Sequence, residues 1–347
     1  MRTSAGTDKD NTILRVENLR TYFKAGQGNV VKAVEGVNFS LRRGMVLGII
    51  GESGSGKSVT ARSILRIIES PGYIAGGKIL FKGEDVLSFS EKKMRSIRGN
   101  EISMIFQEPT TSLNPFMTIG DHLMEAYNSH TPSGSEKAKE EALRALHLVG
   151  INNGREIFRK FPCQFSAGFR QRIFIAMSMI LYPDVLIADE PTTSLGITIQ
   201  AEIIAALSEV QKQTGISIII ITHDFGVVSQ FSDDIFVMYA GRCVESSPKK
   251  TLLTKPAHPY TIGLIRSVPL LEERKTRRVK SIPGFPPDMS NVPPGCPFAP
   301  RCEFAGSVCT EEVPELREVG EGHLCACHYP QDYNVNDDTE LGGDLHV

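Results

Sequence analysis

Residues 51–60 read GESGSGKSVT and follow the apolar run MVLGII, so three glycines and one lysine lie just beyond a predicted buried strand. The spacing Gly51-x4-Gly56-Lys57-Ser58 fits the phosphate-binding loop pattern in full. Glycines let successive backbone N–H groups turn inward around anionic oxygens, and a helix that starts there adds partial positive charge. The stretch therefore predicts a strand, a turn that holds phosphate, and a helix, in that order.

The residues of this loop are candidates for nucleotide binding. Lys57 has the reach to contact the β- and γ-phosphates, and the Ser58 hydroxyl is suited to bind Mg²⁺. The candidate set comprises Gly51, Ser53, Gly54, Ser55, Gly56, Lys57, Ser58 and Val59.

Polar side chains at the ends of three further apolar runs complete the candidate site. VLIADEP ends in Asp189, which we expect to hold Mg²⁺ through water or Ser58, and Glu190, which we expect to polarise the attacking water. His223, after IIIIT, is a candidate to contact the γ-phosphate and hold that water. Gln107, after MIF, supplies a neutral amide that can bind Mg²⁺. Glu190 and His223 are thus the predicted catalytic residues.

Short apolar runs that alternate with helical segments between residues 13 and 246 predict an α/β fold. MVLGII, VLIA and ISIIIIT are apolar on both faces, as in parallel strands inside a sheet. ILRVENL and AVEGVNFSL predict a small antiparallel element near the start. We expect helices after Lys57, over SEKAKEEALRALHLVG, near Ser166, after Thr198 and after Phe225.

Composition changes along the chain predict its segments. The α/β domain is expected over residues 13–268, with a helical subdomain at about 108–180. From 269 to 330 proline and cysteine are frequent and periodicity is weak, which predicts an irregular extension. Residues 1–12 and 331–347 are polar, and we expect them to be disordered tails.

The 347-residue chain has a formal net charge of −2, which argues against a nucleic-acid binder that acts through bulk electrostatics. Its apolar runs are far shorter than the roughly 20 residues that span a bilayer. Its polar N-terminus has no secretory signal pattern. From the sequence we expect a protein that stays in the cytoplasm, where it is able to dock on a membrane protein.

Five motifs together resemble those of ABC transporter ATPases. GESGSGKS resembles the Walker A motif, MIFQEPTTSLNP the Q-loop, FSAGFRQR the signature, VLIADEPTTSL the Walker B segment with the D-loop, and ITHD the H-loop. HPYTIGLIRSVP and GCPFAPRCEFA resemble the C-terminal extension of the ATP-binding subunits of oligopeptide, dipeptide and nickel importers. The resemblance covers residues 13–330.

The resemblance implies an ABC-type P-loop ATPase domain with a small antiparallel β subdomain, a helical subdomain and a short cysteine-rich extension. It implies ATP and Mg²⁺ as ligands, with Phe23, or alternatively Tyr22, stacked on adenine. The signature residues that it implies should face the ATP of a partner subunit are Ser166, Ala167, Gly168 and Gln171.

The family works as paired ATPase subunits on membrane proteins. The resemblance thus implies a second ABC ATPase subunit, two membrane permease subunits, an extracytoplasmic substrate-binding protein, and a peripheral location on the cytoplasmic side of the inner membrane. ATP hydrolysis then powers the import of peptides, with nickel or another small solute as the alternative cargo. DNA-repair and ribosome-associated ATPases are disfavoured, because the chain has neither a long insertion between Gln107 and Ser166 nor a second ATPase half.

Two positions depart from the family pattern. Ala167 replaces a glycine of the signature, and a positive φ there would cost roughly 1–2 kcal/mol. Gly196 stands where the D-loop of the family has aspartate. We hypothesise an asymmetric heterodimer in which this chain's nucleotide site is competent and the partner's site, facing Ala167, is weak. The alternatives are neutral drift with two working sites, and an ATP-binding structural subunit.

Five of the seven cysteines fall between residues 296 and 327. The set Cys296-x5-Cys302-x6-Cys309-x17-Cys327 is suited to hold zinc or an iron–sulfur cluster through four thiolates, and spacing alone does not separate the two. The resemblance implies a structural [4Fe-4S] cluster. Cys325 and, less favourably, His328 are alternatives for the fourth ligand.

Overall fold

The computed structural model describes residues 11–107, 113–131, 134–193, 195–267 and 281–335. Within these ranges the chain packs as two compact units. The described residues of the first unit lie within 11–15, 40–46 and 80–221, and those of the second unit within 16–39, 47–79 and 222–335.

The strands are β1 Thr12–Lys24, β2 Val30–Arg42, β3 Val46–Ile50, β4 Gly72–Phe81, β5 Glu84–Asp85, β6 Ile102–Ile105, β7 Val185–Asp189, β8 Ser217–Thr222, β9 Asp234–Tyr239, β10 Arg242–Pro248, β11 Arg317–Gly320 and β12 His323–Cys325. The helices are α1 Lys57–Ile64, α2 Glu91–Ile97, α3 Ile119–Asn128, α4 Ser135–Leu148, α5 Gly154–Ile157, α6 Ala167–Met179, α7 Ile197–Thr214, α8 Phe225–Phe231, α9 Lys249–Thr254, α10 Pro259–Arg266 and α11 Ser307–Glu311.

Three parallel strands form the centre of the first unit. β6 pairs with β7 and β7 with β8, so that Val185 lies beside Ile102 on one side and Ser217 on the other. Every residue of β7 and β8 is buried, which confirms the prediction that these apolar runs lie inside a sheet. At the far end of the pairing, Asp189 of β7 lies beside Ile221 of β8.

Two helices of the first unit, α3 and α6, start at side chains that cap them. Thr118 and Asp121 form a capping box at the start of α3, and Ser166 caps α6. α3 packs on α4, α4 on α6, and α6 on both α7 and β6. The helices predicted over the SEKAKEEALRALHLVG segment and near Ser166 are therefore confirmed as α4 and α6.

The second unit is built on a mixed sheet. β3 and β9 are parallel, and β9 turns back into β10 through Ala240 and Gly241, which have φ of 47° and 77°. Two positive φ values in succession fit a tight hairpin. β10 then pairs with β12, and β12 with β11, both antiparallel. Of the small sheet predicted near the start, β4 and β5 pair antiparallel in the first unit, with Leu80 beside Asp85 and Phe81 beside Glu84.

The extension is more regular than its sequence predicted. It contributes β11, β12 and α11, and the Cys325 position of β12 lies opposite Glu245 of β10. Phe298 and Val335 are buried in the core of the second unit with Tyr239. Local periodicity missed β12 because it pairs with the distant β10, and it missed β11 because that strand pairs with β12.

Both predicted tails are shorter than expected. Thr12 begins β1, and Asn11 accepts a backbone hydrogen bond from Arg43. At the other end Val335 is buried and Tyr333 packs against the same core, so residues 331–335 are ordered. The rest of both tails lies outside the described residues, as do 108–112 and 132–133 of the expected helical subdomain and 268–280 near the start of the extension.

No helix in the described part of the chain combines the length and the apolar character that a membrane crossing requires.

Candidate nucleotide-binding and catalytic site

The phosphate-binding loop, residues 51–56, connects β3 to α1 in the second unit. Gly51 has no room for a side chain, because a Cβ there would lie 2.1 Å from the Met238 carbonyl oxygen. Gly56 has a φ of +99°, and a Cβ there would lie 2.4 Å from the Ala33 carbonyl oxygen. Packing therefore requires glycine at both ends of the loop, and the backbone conformation requires it again at Gly56.

Lys57 spans the loop from the first turn of α1. Its Nζ donates to the carbonyl oxygens of Gly51 at 2.7 Å and Glu52 at 2.8 Å, and the residue is only 4% exposed. An ammonium held at the start of a helix adds positive charge where the helix dipole is also positive. The other predicted contacts are distributed as follows: Ser53 and Gly54 are exposed, Ser55 is buried, and Ser58 and Val59 are partly buried.

Gln107, Glu190 and Thr193 come together in the first unit. Gln107 Nε2 donates to Glu190 Oε2 at 3.1 Å, and Thr193 Oγ1 donates to the same oxygen at 2.7 Å. Asp189, the last residue of β7, is 1% exposed, and Glu190 follows it at the end of the strand. Two donors on one oxygen orient the Glu190 carboxylate, as a group that aligns an attacking water requires.

Glu190 also has an uncommon backbone conformation. Its φ is 48°, in the left-handed region that residues with a side chain seldom adopt. Its N–H donates to the Ile221 carbonyl oxygen at 2.8 Å, which ties the turn to β8. Backbone strain of this kind concentrates at functional sites, where the surroundings over-determine it.

His223 is exposed in the second unit, directly after β8. The next residue, Asp224, caps α8 by accepting a hydrogen bond from the Gly226 N–H at 2.8 Å, and the Asp224 N–H donates to Thr222 Oγ1 at 3.0 Å. These two bonds fix the backbone on both sides of His223. The imidazole is therefore presented at the surface from a rigid turn.

The two aromatic candidates for adenine stacking differ in their surroundings. The Tyr22 hydroxyl donates to Glu35 Oε2 at 2.8 Å, and its ring meets Tyr73 edge-on. Burial, and then Glu35, raise the pKa of Tyr22. The Phe23 ring instead packs against the Gly72 backbone, where a Cβ would lie 2.5 Å from Phe23 Cε1. The Tyr22 hydroxyl is thus hydrogen-bonded to Glu35. Stacking of Phe23 on adenine stays a prediction.

The signature segment starts α6. The Ser166 side chain accepts a hydrogen bond from the Phe169 N–H at 3.4 Å, and Ala167 is the first helical residue. Ala167 is not among the described residues with positive φ, so the backbone strain considered for it does not arise. Gly168 is the constrained position, because a Cβ there would lie 2.4 Å from Ile199 Cγ2.

Gln171 is an exception to the expected placement of the signature residues. It is fully buried, and neither atom of its amide has a hydrogen-bond partner in the described part of the chain. A side chain that does not reach the surface does not face a partner's nucleotide in this conformation. Its neighbours Ile173, Phe174 and Ile175 on α6 are buried as well.

Gly196, the departure in the D-loop, precedes α7 as its N-cap. Its φ is −66° and its ψ 154°, values that any residue adopts. A Cβ at this position would meet no atom within 4 Å. Neither packing nor backbone conformation therefore requires glycine at residue 196.

Four cysteines of the extension influence one another electrostatically. Burial, and further Cys296, Cys302 and Cys309, raise the pKa of Cys327 to about 11, while backbone hydrogen bonding lowers it. Cys325 is fully buried, and burial and then Glu245 raise the pKa of its thiol. The thiols that influence Cys325 are Cys327 and Cys243.

The thiols do not form a ready metal site. Among the residues that the structure describes, no group of three or more His, Cys, Asp or Glu side chains is arranged to hold a metal ion. The alternative fourth ligand, His328, contacts the Glu312 carbonyl oxygen through Nε2 at 2.9 Å. The side-chain arrangement therefore does not itself fit a bound cluster or zinc.

Sequence analysis missed one ion pair at the phosphate-binding loop. Arg301 of the extension contacts the Glu52 carboxylate with both terminal nitrogens, at 2.7 and 2.9 Å. Hydrogen bonding to Glu52 raises the pKa of Arg301 above its ordinary value. The available clue was a carboxylate inside a loop that binds anions, but nothing in the motifs indicated its partner.

A glycine-built phosphate loop in the second unit and an amide-held glutamate after a buried strand in the first unit are the parts of a P-loop ATPase. The helix α6 begins at Ser166, in the segment that resembles the ABC signature. The family model described as ABC transporter matches residues 34–193, and the one described as oligopeptide/dipeptide transporter, C-terminal region, matches residues 244–309.

Similarity to two transport ATP-binding proteins covers nearly the whole chain. The chain is 46% identical over 318 residues to the dipeptide transport ATP-binding protein DppD of Bacillus subtilis, which covers 91% of this chain and 94% of that protein. It is 43% identical over 320 residues to the oligopeptide transport ATP-binding protein OppD of Salmonella typhimurium, with 92% and 94% covered.

Among solved structures, cbiO1 from Clostridium perfringens, part of the ABC transporter complex cbiONQ, is 30% identical with a TM-score of 0.60, over 70% of this chain and 90% of that chain. The chain is an ABC-type ATPase. It belongs to the family of ABC transporter ATP-binding proteins that carry the oligopeptide/dipeptide transporter C-terminal region.

Proposed function

We propose that this chain is the subunit whose ATP hydrolysis powers peptide import through an ABC transporter. The proposal depends on two features that occur in the same chain. The Glu190 carboxylate is oriented by two hydrogen bonds, and residues 244–309 match the oligopeptide/dipeptide transporter C-terminal region. The named relatives, a dipeptide and an oligopeptide transport protein, support peptides as the cargo. Nickel or another small solute is the alternative cargo.

In this proposal Gly51, residues 53–59, Phe23, Gln107 and Asp189 bind ATP and Mg²⁺. Ser58 and Gln107 are the proposed Mg²⁺ ligands, and Glu190 and His223 the catalytic residues. The surface presented by Ser166, Ala167 and Gly168 faces the ATP of a second ABC ATPase subunit. Two observations support these roles. The motifs resemble those of the family, and each unit holds its own motifs in ordered turns.

The partners proposed are that second ATPase subunit, two membrane permease subunits and an extracytoplasmic substrate-binding protein. The chain would sit peripherally on the cytoplasmic side of the inner membrane. Support comes from the transport proteins to which the chain is similar along almost its whole length.

The first test is steady-state ATP hydrolysis by the reconstituted transporter, wild type against Glu190→Gln. We expect near-complete loss of hydrolysis with ATP binding retained, because an amide cannot accept the proton of the attacking water. Glu209→Gln, an exposed carboxylate on α7, is the matched control and should behave as wild type. Retained hydrolysis in Glu190→Gln would instead make this chain an ATP-binding structural subunit, with the catalytic role in its partner.

Cargo is tested in the same preparation with its binding protein added. ATP-dependent uptake of labelled di- and oligopeptides, lost in Glu190→Gln, supports peptide import. Uptake of nickel without peptide uptake would contradict it.

We also propose that Cys296, Cys302, Cys309 and Cys327 hold a structural [4Fe-4S] cluster, with zinc as the alternative. The family resemblance and the mutual influence of these thiols support the proposal, while the side-chain arrangement described above does not. Visible absorption of anaerobically purified protein, with iron, sulfide and zinc assays, tests it. Protein that contains neither metal would remove it.

A further inference from the structure

The extension reaches the phosphate-binding loop through one ion pair. Arg301 Nη1 lies 2.7 Å from Glu52 Oε2, and Arg301 Nη2 lies 2.9 Å from Glu52 Oε1. Each terminal nitrogen of the guanidinium thus contacts one oxygen of the carboxylate, which is the bidentate geometry of a strong Arg–carboxylate pair. The Arg301 side chain is 5% exposed and that of Glu52 27% exposed, so solvent screens the pair only in part.

Arg301 is held in place by its own surroundings. Its Nε donates to the Pro283 carbonyl oxygen at 2.8 Å, and its Nη1 also donates to the Tyr239 hydroxyl at 3.2 Å. Its guanidinium carbon lies 5.9 Å from the centre of the Phe298 ring. Because Pro283 and Phe298 belong to the extension, the fold of the extension determines where the guanidinium points.

Glu52 is held from the side of the loop. Its N–H donates to the Tyr260 hydroxyl at 2.8 Å, and its carbonyl oxygen accepts from Lys57 Nζ at 2.8 Å. The Tyr260 ring contacts both Tyr239 and Phe298, with ring centres 4.7 and 5.4 Å away. One loop residue therefore joins the extension to the lysine of the phosphate site.

Glu52 also brings a negative charge into a loop that binds anions. Repulsion between this carboxylate and nucleotide phosphates opposes binding, with an energy that falls with distance and rises as water is excluded. Arg301 supplies the opposite charge and directs the carboxylate to itself. The pair thus reduces the repulsion between Glu52 and nucleotide phosphates, and it also attaches the extension to the loop.

We infer that Arg301 is a positioning residue for ATP binding: it neutralises and fixes Glu52, and thereby keeps the phosphate-binding loop and Lys57 in a conformation that accepts nucleotide. The inference rests on the proposed role of this loop in binding ATP. It gives the extension a function at the nucleotide site that does not depend on a metal.

The experiment titrates the purified full chain with a fluorescent ATP analogue and Mg²⁺. Arg301→Gln leaves the Glu52 charge uncompensated, and we expect roughly tenfold weaker binding, with the deficit larger at low salt. The double variant Arg301→Gln with Glu52→Gln should recover most of the affinity, because the repelling charge is then absent. Glu52→Gln alone should bind at least as tightly as wild type.

Arg266→Gln is the matched control, since it removes an arginine whose ion pair with Glu303 lies outside the loop. It should bind nucleotide as wild type does. Thermal unfolding without nucleotide is measured for each variant, so that a loss of fold is recognised. If Arg301→Gln does not fold, Arg301→Lys and Glu52→Gln carry the comparison, because Lys keeps the charge and should keep most of the affinity.

Wild-type affinity in Arg301→Gln would overturn the inference. A double variant as weak as Arg301→Gln would do the same, because it would make the pair only a structural brace. Lys57→Ala separates this failure from failure of the ATP site. If the wild type shows no saturable binding that Lys57→Ala weakens, the proposed function fails, and the inference fails with it.

Discussion

Gln107 Nε2 lies 3.1 Å from Glu190 Oε2, which joins two strand ends that are 83 residues apart in sequence. The Q-loop amide thus contacts the proposed catalytic carboxylate directly. A change in the position of Gln107 would alter the orientation of Glu190, to which Thr193 Oγ1 also donates, at 2.7 Å. The pair gives the loop that contains Gln107 a physical connection to the proposed catalytic carboxylate.

Removing either donor to Glu190 should slow hydrolysis. We expect Thr193→Val to lower kcat roughly tenfold with little change in the KM for ATP, because a hydrogen bond to a charged group is worth about 1.5–3 kcal/mol. Gln107→Ala should lower kcat similarly and also raise the Mg²⁺ requirement. Gln213→Ala, whose amide donates to the exposed Glu209, is the matched control. Wild-type kcat in both variants would show that orientation of this carboxylate is not limiting.

The glycine that the signature requires is Gly168. Gly168→Ala places a methyl group 2.4 Å from Ile199 Cγ2, and we expect a loss of about 1–3 kcal/mol in the free energy of unfolding. Adding Ile199→Ala should restore part of it by removing the clashing atom. Ala167→Gly, one residue earlier, should cost at most about 1 kcal/mol, because alanine already suits a helix. Denaturant unfolding measures all three, and equal losses at residues 167 and 168 would contradict the packing argument.

Restoring the D-loop carboxylate should be tolerated. Gly196→Asp places an N-cap acceptor and a negative charge at the start of α7, for an expected gain of about 0.5–1 kcal/mol in folding stability. Gly134→Asp is the matched control, because Gly134 caps α4 and its Cβ position is equally open. Both should stabilise the chain, but only Gly196→Asp should change the ATPase rate of the assembled complex. An unchanged rate would remove Gly196 from the argument for asymmetric sites.

The sequence predicted the features that depend on local pattern and strand direction, namely the end of β7 and the loop before α1. β7 is apolar from Val185 to Ala188, so Asp189 and Glu190 had to lie at its end, and the glycine spacing determined the loop before α1. The conformation of Ala167 was not predictable in this way, because whether the residue begins a helix depends on its cap at Ser166 and on packing of α6. Ala167 begins α6 and is not among the described residues with positive φ, so the backbone strain expected for it is absent.

Contacts between segments that are distant in sequence could not be predicted from local sequence patterns. Arg301 and Glu52 are 249 residues apart, and no motif specifies that a guanidinium in the extension meets a carboxylate in the loop. The β12 strand was missed for the same reason, since its three residues gain a strand conformation by pairing with β10. Burial of Gln171 likewise depends on which face of α6 packs inward.

Acid should destabilise the second unit through His258. Burial lowers the pKa of His258 from 6.5 to about 4, against the raising effects of Glu245 and of a hydrogen bond with the Ala326 backbone. His323 also contacts Glu245, at 2.7 Å, so the carboxylate is shared between two histidine-bearing segments. The unfolded chain takes up a proton at residue 258 below pH 6.5, whereas the folded chain does so only near pH 4. Stability from this residue is therefore complete above pH 6.5 and falls as the pH drops towards 4.

His258→Asn tests this dependence, because asparagine can still accept the hydrogen bond from the Tyr260 N–H that caps α10 but does not titrate. Between pH 7.5 and 5.0 we expect the wild type to lose about 2 kcal/mol more unfolding free energy than His258→Asn. His147→Asn, a change at an exposed histidine, should keep the wild-type dependence. Urea unfolding at the two pH values measures the difference. Parallel losses in the wild type and His258→Asn would mean that residue 258 is not the group that takes up the proton.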